Sequence, residues 1–147
     1  MVTCAVRRLA GILLVLCSNA ICGSPVSGLE SRLEDVVKEL PGGRIHWSTY
    51  WNLCWQAYPG AAAYELQAAT SEGVSPMLQR QAGRCIRIEA AAGENPKSQG
   101  LLKRELLLKL QSAQLGYRVR AVLGQDRFSD WSRIVPVGSQ KQAQPAR

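Results

Sequence analysis

Arg118 and Arg120 stand two residues apart in Tyr117-Arg118-Val119-Arg120-Ala121, and Phe128 and Trp131 stand three apart in Phe128-Ser129-Asp130-Trp131-Ser132. A guanidinium is drawn to the face of an aromatic ring, so these four side chains could build a stacked ladder of cations and rings. The chemistry of such a ladder is non-covalent: recognition, or stiffening of a sheet edge. It requires both arginines on one face. A strand supplies that, because a period of two turns Tyr117, Val119 and Ala121 one way and Arg118 and Arg120 the other.

Nothing else in the chain offers turnover. His46, the single histidine, reads as an exposed strand residue, and no Cys/His/Asp spacing suits a metal. No serine occupies a nucleophile elbow and no glycine run resembles a phosphate loop, so neither an enzyme nor a cofactor is expected. Asn52-Leu53-Cys54 and Asn95-Pro96-Lys97 are both poor glycan acceptors.

The first residues read as a secretory signal over residues 1–23: Arg7 and Arg8 begin it, Leu9 to Leu16 form a short apolar core, and small residues follow at Ser18, Ala20 and Gly23. The alternative is a retained N-terminal anchor, although the apolar run is short for a membrane span. Cleavage near Gly23 leaves Cys54 and Cys85, an even count suited to one disulfide in an oxidising compartment. Cleavage after Ala20 leaves Cys22 as an odd thiol. Parity turns Cys54 and Cys85 outward, and the segment around Cys85 is expected beside the third strand rather than the second, so the bond competes with two free thiols.

Charge is unevenly spread. The formal net charge is +7, and loss of Arg7 and Arg8 lowers it to +5. Residues 25–74 carry six acidic and three basic side chains, whereas residues 75–147 carry five acidic and thirteen basic. Arg80, Arg84, Arg87, Lys97, Lys103, Arg104 and Lys109 could thus form a face for anionic glycans, or simply a solvated basic surface. Nucleic acid is a poor partner for a secreted chain whose aromatic residues are committed to a core.

The elements follow from period. Ser27 and Glu30 make a capping-box pattern, and Leu29, Leu33, Val36, Val37 and Leu40 recur at helical spacing before Pro41-Gly42-Gly43. This predicts a short amphipathic helix within residues 24–41, packed on the edge of its own domain or docking another protein. From Ile45 the period becomes two, with Ile45, Trp47, Thr49, Trp51, Leu53 and Trp55 on one parity, read as two strands broken near Ser48 and Thr49. Further strands are expected at residues 63–70, within 77–90 with Ile86 and Ile88 inward, at Leu106, Leu108 and Leu110, and at residues 117–123 and 133–137; residues 93–100 read as a loop. The sum is an all-β fold, a single seven-stranded antiparallel sandwich over residues 42–137, with a polar tail at residues 138–147.

Leu53-Cys54-Trp55, Tyr64-Glu65-Leu66-Gln67 and Leu110 leading to Tyr117-x-Val119-x-Ala121 make residues 42–137 resemble a fibronectin type III domain. The resemblance implies that Trp55 is core and that Tyr117 makes a structural corner contact. Phe128-Ser129-Asp130-Trp131-Ser132 further resembles the Trp-Ser-x-Trp-Ser box of class I cytokine receptors, with Phe128 in place of the first tryptophan. That likeness implies a box stacked on the arginines of the neighbouring strand, the role Arg118 and Arg120 match. The expected function is a small secreted binding module engaging an extracellular protein; the alternative is a sulfated-glycan binder using the basic C-terminal half.

Overall fold

The inward residues of β2 (Arg44–Cys54), namely Ile45, Trp47, Thr49, Trp51 and Leu53, are each no more than 5% exposed. In the computed structural model, which describes residues 23–138, this strand is the centre of the first sheet. The expected signal segment, apart from Gly23, and the expected tail beyond Gly138 lie outside the described residues. Ile45, Trp47, Thr49, Trp51 and Leu53 thus face a core, and of the residues on the other parity only Ser48 is buried.

β1 (Glu30–Leu40) and β5 (Cys85–Pro96) flank β2 antiparallel, giving the order β1-β2-β5. The second sheet has the order β4-β3-β6-β7, from β3 (Ala63–Thr70), β4 (Gly73–Gln81), β6 (Gly116–Gly124) and β7 (Arg127–Phe128), and β8 (Val135–Pro136) also pairs with β6. The chain is mostly β. Trp51, Leu53 and Trp55 from one side and Tyr64, Leu66, Tyr117 and Val119 from the other share one hydrophobic core. Burial of that apolar surface is the main force holding the sheets together.

Several expectations are corrected. Residues 30–40 are a strand, not a helix: β1 pairs with β2 over its full length, from Glu30 opposite Cys54 to Leu40 opposite Arg44. Its apolar residues fit a helical stripe, but eleven residues of ladder and the placement of Leu33 opposite Trp51 favour the extended form. β2 is continuous through Ser48 and Thr49; the irregularity lies on its neighbour, where Thr49 opposes Ala91 and Tyr50 opposes Glu89, leaving Ala90 as the extra residue of a bulge. The first half of the expected loop at 93–100 is the end of β5, followed by a 3₁₀ turn at Lys97–Gln99.

The expected strand at Leu106, Leu108 and Leu110 is instead α1 (Leu102–Gln114). Its sequence contains no β-branched residue and is rich in Leu, with Lys, Gln, Arg, Glu and Ala, all good helix formers. The helix lies against the first sheet. Arg104 and Leu108 are buried beneath it, Gln111 accepts a hydrogen bond from Trp51 Nε1 at 3.0 Å, and its Nε2 donates to Ala90 O at 2.7 Å. The carbonyl of the bulged residue is thereby satisfied by a side chain rather than by a strand.

Candidate functional site

Around β6 the second sheet presents its outer face. Glu65 opposes Arg120 and Gln67 opposes Arg118 across β3 and β6, so these four side chains share that face while Tyr117, Val119 and Ala121 enter the core. Arg120 is fixed to Glu65 through Nη2 at 2.7 Å and Nε at 2.9 Å. Arg118 Nε donates to Gln67 Oε1 at 2.8 Å, and Gln67 in turn donates to the carbonyl of Ser75. Glu65 and Gln67 are buried although they point outward, because the guanidinium groups and rings cover them.

The rings arrive from the last segment. Phe128 lies 3.9 Å from the Arg120 guanidinium carbon, Trp131 lies 4.6 Å from the same carbon, and Arg118 lies 4.5 Å from the Trp131 ring. The order is Phe128, Arg120, Trp131, Arg118. Each contact is within the range where a cation and an aromatic face attract, worth about 0.5–2 kcal/mol according to desolvation.

Two serines that sequence reasoning passed over set this spacing. Ser129 N donates to Ala121 O at 3.0 Å while Ser129 Oγ accepts from Ala121 N at 2.8 Å. Ser132 N likewise donates to Val119 O at 2.9 Å, and Ser132 Oγ accepts from Val119 N at 3.0 Å. A side-chain oxygen thus replaces the backbone carbonyl a regular strand would offer. Three residues of the last segment then match two of β6, which brings Phe128 and Trp131, three apart, onto one face. The repeated Ser at 129 and 132 was the signal that could have found them. β6 and β7 are joined by a tight turn in which Asp126 takes φ 54°, a left-handed conformation Asp tolerates.

The other candidate residues fall elsewhere. Cys54 and Cys85 are bonded, as directly opposed residues of β2 and β5 with Cα atoms 4.2 Å apart. The expectation that the Cys85 segment would lie beside the third strand is corrected: β5 runs beside β2. Trp55 and Tyr117 are both buried in the core; Trp55 stacks edge-on against Tyr64 at 5.4 Å, with its indole N–H unpartnered. Burial raises the Tyr117 phenol above its ordinary value.

The seven basic residues do not make one face. Arg104 is buried on α1, where Nε and Nη2 hold the Asp35 carboxylate at 2.8 and 2.7 Å and Thr49 Oγ1 donates to the same carboxylate at 2.6 Å. Arg87 pairs with Glu34 at 2.9 Å and lies 3.6 Å over Tyr50, and Lys97 pairs with Glu39. Arg80, Arg84, Lys103 and Lys109 remain, on β4, the β4–β5 turn and α1. Arg80 opposes Glu65 and lines, with Val122, Asp126 and Phe128, a shallow pocket of about 300 Å³ at the Phe128 end of the ladder.

Among the described residues, no cluster of His, Cys, Asp and Glu could hold a metal ion, and no helix is long and apolar enough to cross a membrane. Fold and site together define a two-sheet β protein with a stacked cation–aromatic outer face. No family model, curated protein or solved structure matches the chain.

Proposed function

We propose that this chain is a secreted, non-catalytic binding module of the fibronectin type III kind, related in its last strand to class I cytokine receptors, that recognises an extracellular protein. The observation carrying this reading is the ladder Phe128, Arg120, Trp131, Arg118, held by paired hydrogen bonds from Ser129 and Ser132 to β6. The three-strand and five-strand sheets, ordered β1-β2-β5 and β4-β3-β6-β7 with β8 also on β6, support it, as does the cross-strand disulfide, a bond suited to an oxidising compartment. The glycan-binding alternative is weakened, because Arg104 is buried and Arg87 and Lys97 are already neutralised by carboxylates.

The test is expression of the full chain in secreting cells, with intact mass of the protein from the medium after alkylation without reduction. The expected product begins near residue 24 and carries no label on Cys54 or Cys85. Two labelled cysteines would overturn the disulfide, and a product retaining the first 23 residues inside the cell would overturn secretion. The secreted product is then applied to cell surfaces. Binding that survives physiological salt and removal of sulfated glycans supports a protein partner; binding abolished by either treatment supports the glycan reading.

A further inference from the structure

The two arginines of the ladder are unequally provided for. Arg120 holds the Glu65 carboxylate through Nε and Nη2 and lies within reach of two rings, Phe128 and Trp131. Arg118 repeats that arrangement with two parts missing. It stacks on Trp131 alone, and position 67 offers it a neutral amide where position 65 offers Arg120 a carboxylate. Gln67 Oε1 takes up Nε, so among the described residues Nη1 and Nη2 of Arg118 are left without a hydrogen-bond partner. The guanidinium is nonetheless fixed, since Gln67 is 8% exposed and is anchored in turn to Ser75 O. On the outer face of the other sheet, by contrast, Arg32, Arg44 and Arg87 each pair with a carboxylate.

We propose that Arg118 receives a carboxylate from an acidic segment of a protein partner, in which Asp or Glu stands beside an aromatic residue; this rests on the reading of the chain as a protein-binding module. The end-on fork of Nη1 and Nη2 fits the two oxygens of a carboxylate, and the aromatic neighbour supplies the second ring that Arg120 already has. Charge favours an acidic occupant. Register places Arg80, Arg118 and Arg120 on the outer face of β4, β3 and β6, where Glu65 is the one carboxylate among the described residues of those strands and is already taken by Arg120. The surroundings of Arg118 favour a protein over a sulfated glycan. Leu78, opposite Gln67, is 42% exposed, and Ile134, 48% exposed, rests on Gly116 at the next outward position of β6. A glycan draws its affinity from a run of free cations, whereas a single held cation beside apolar side chains matches a carboxylate beside apolar groups. Because the guanidinium is already oriented, little freedom is lost when the carboxylate arrives.

Calorimetric titration of the purified, oxidised full chain at physiological salt with a synthetic peptide of alternating Glu and Tyr tests this, with urea unfolding confirming the fold of each variant. The expected Kd is about 0.1 mM, rising at least about tenfold in Arg118→Gln and, for the wild-type chain, with a peptide of alternating Gln and Tyr. Gln67→Glu gives Arg118 the internal carboxylate that Arg120 has, and should weaken the peptide to the same degree in a chain that still folds. Arg87→Gln, on the outer face of the other sheet, should leave Kd unchanged. No binding of the Glu–Tyr peptide up to about 1 mM, equal binding of the Gln–Tyr peptide, or equal losses in Arg118→Gln and Arg87→Gln would each overturn the proposal. Heparin bound more tightly than the peptide, with the same dependence on Arg118, would assign the site to a glycan and overturn it as well. The cell-surface assay separates this site from the reading beneath it: wild-type and Arg118→Gln chains that bind cells equally overturn the site alone, whereas a wild-type chain that binds no cell overturns the module reading and leaves the peptide titration to decide the site.

Discussion

On the outer face of β1-β2-β5, Arg87 lies 3.6 Å over Tyr50 and bonds Glu34 at 2.9 Å, while Asn52 donates to the other oxygen of that carboxylate. On the outer face of the other sheet, Arg120 lies between Phe128 and Trp131 and bonds Glu65. The two clusters contain the same parts: a guanidinium, an aromatic face and a carboxylate on neighbouring strands. They differ in depth. The side chains of Arg87 and Glu34 are 45% and 44% exposed, those of Arg120 and Glu65 22% and 10%. The first cluster lies within the three strands of one sheet and remains open to water. The second is covered because the last segment departs from regular pairing and lays two rings across the sheet. Water screens the first pair and is largely excluded from the second, so similar contacts should carry unlike weight.

The largest expected effect is at Arg120. Arg120→Ala leaves Glu65 buried without the guanidinium it pairs with, and breaking a buried pair on one side costs about 3 kcal/mol. Urea unfolding at neutral pH measures it. A loss below about 1 kcal/mol would put this pair in the same class as a surface salt bridge and erase the contrast between the two faces. Trp131→Ala comes next, at about 2 kcal/mol, because the ring is half-buried and sits between Arg118 and Arg120. Unchanged unfolding in that variant would refute the ladder as a source of stability.

How much of this was legible depends on how local each signal is. The alternation of Tyr117 to Ala121 with two arginines is local, and so is the order of Phe128 and Trp131; both positions of the ladder could be read from them. The parity of β2 was equally plain, since an eleven-residue strand with one buried face writes itself every second residue. What could not be read was set by partners far along the chain. Residues 30–40 satisfy a helical stripe in isolation and become a strand only because β2 offers a ladder for all eleven. Asp35 turns toward the inner side there, where a chain-local reading sees only an acidic residue; its partner Arg104 is 69 residues away. That same pairing removes Arg104 from the basic surface to which composition assigned it. In α1 the leucines at 106, 108 and 110 suggest alternation, whereas the absence of β-branched residues was the better guide.

Ser132→Ala sharpens the comparison by testing how the rings are brought into place. The Val119 N–H lies in the core and its acceptor is the Ser132 hydroxyl, so truncation leaves a buried donor unpaired at a cost of about 1–2 kcal/mol. Ser129→Ala should act likewise on the Ala121 N–H. Hydrogen exchange at these two amides is the direct readout: each should speed in its own variant and stay slow in the other. Equal exchange in both variants would mean that the serines do not separately hold the segment.

The smallest effect is expected at Arg87. Arg87→Ala removes an exposed pair and an exposed stacking contact, each worth well under about 1 kcal/mol, and it leaves Glu34 in water, where a lone carboxylate is solvated. The total should stay near 0.5 kcal/mol at low salt and shrink further as salt shortens the reach of the charges. Arg120→Ala should lose nearly as much in high salt as in low, because ions do not penetrate between Glu65 and the rings. Unfolding both variants across a salt series therefore separates charge held in water from charge held under aromatic cover. Were the two to respond in parallel, the aromatic cover over Arg120 would add nothing to the pair beneath it, and its role would be confined to shaping the surface a partner meets.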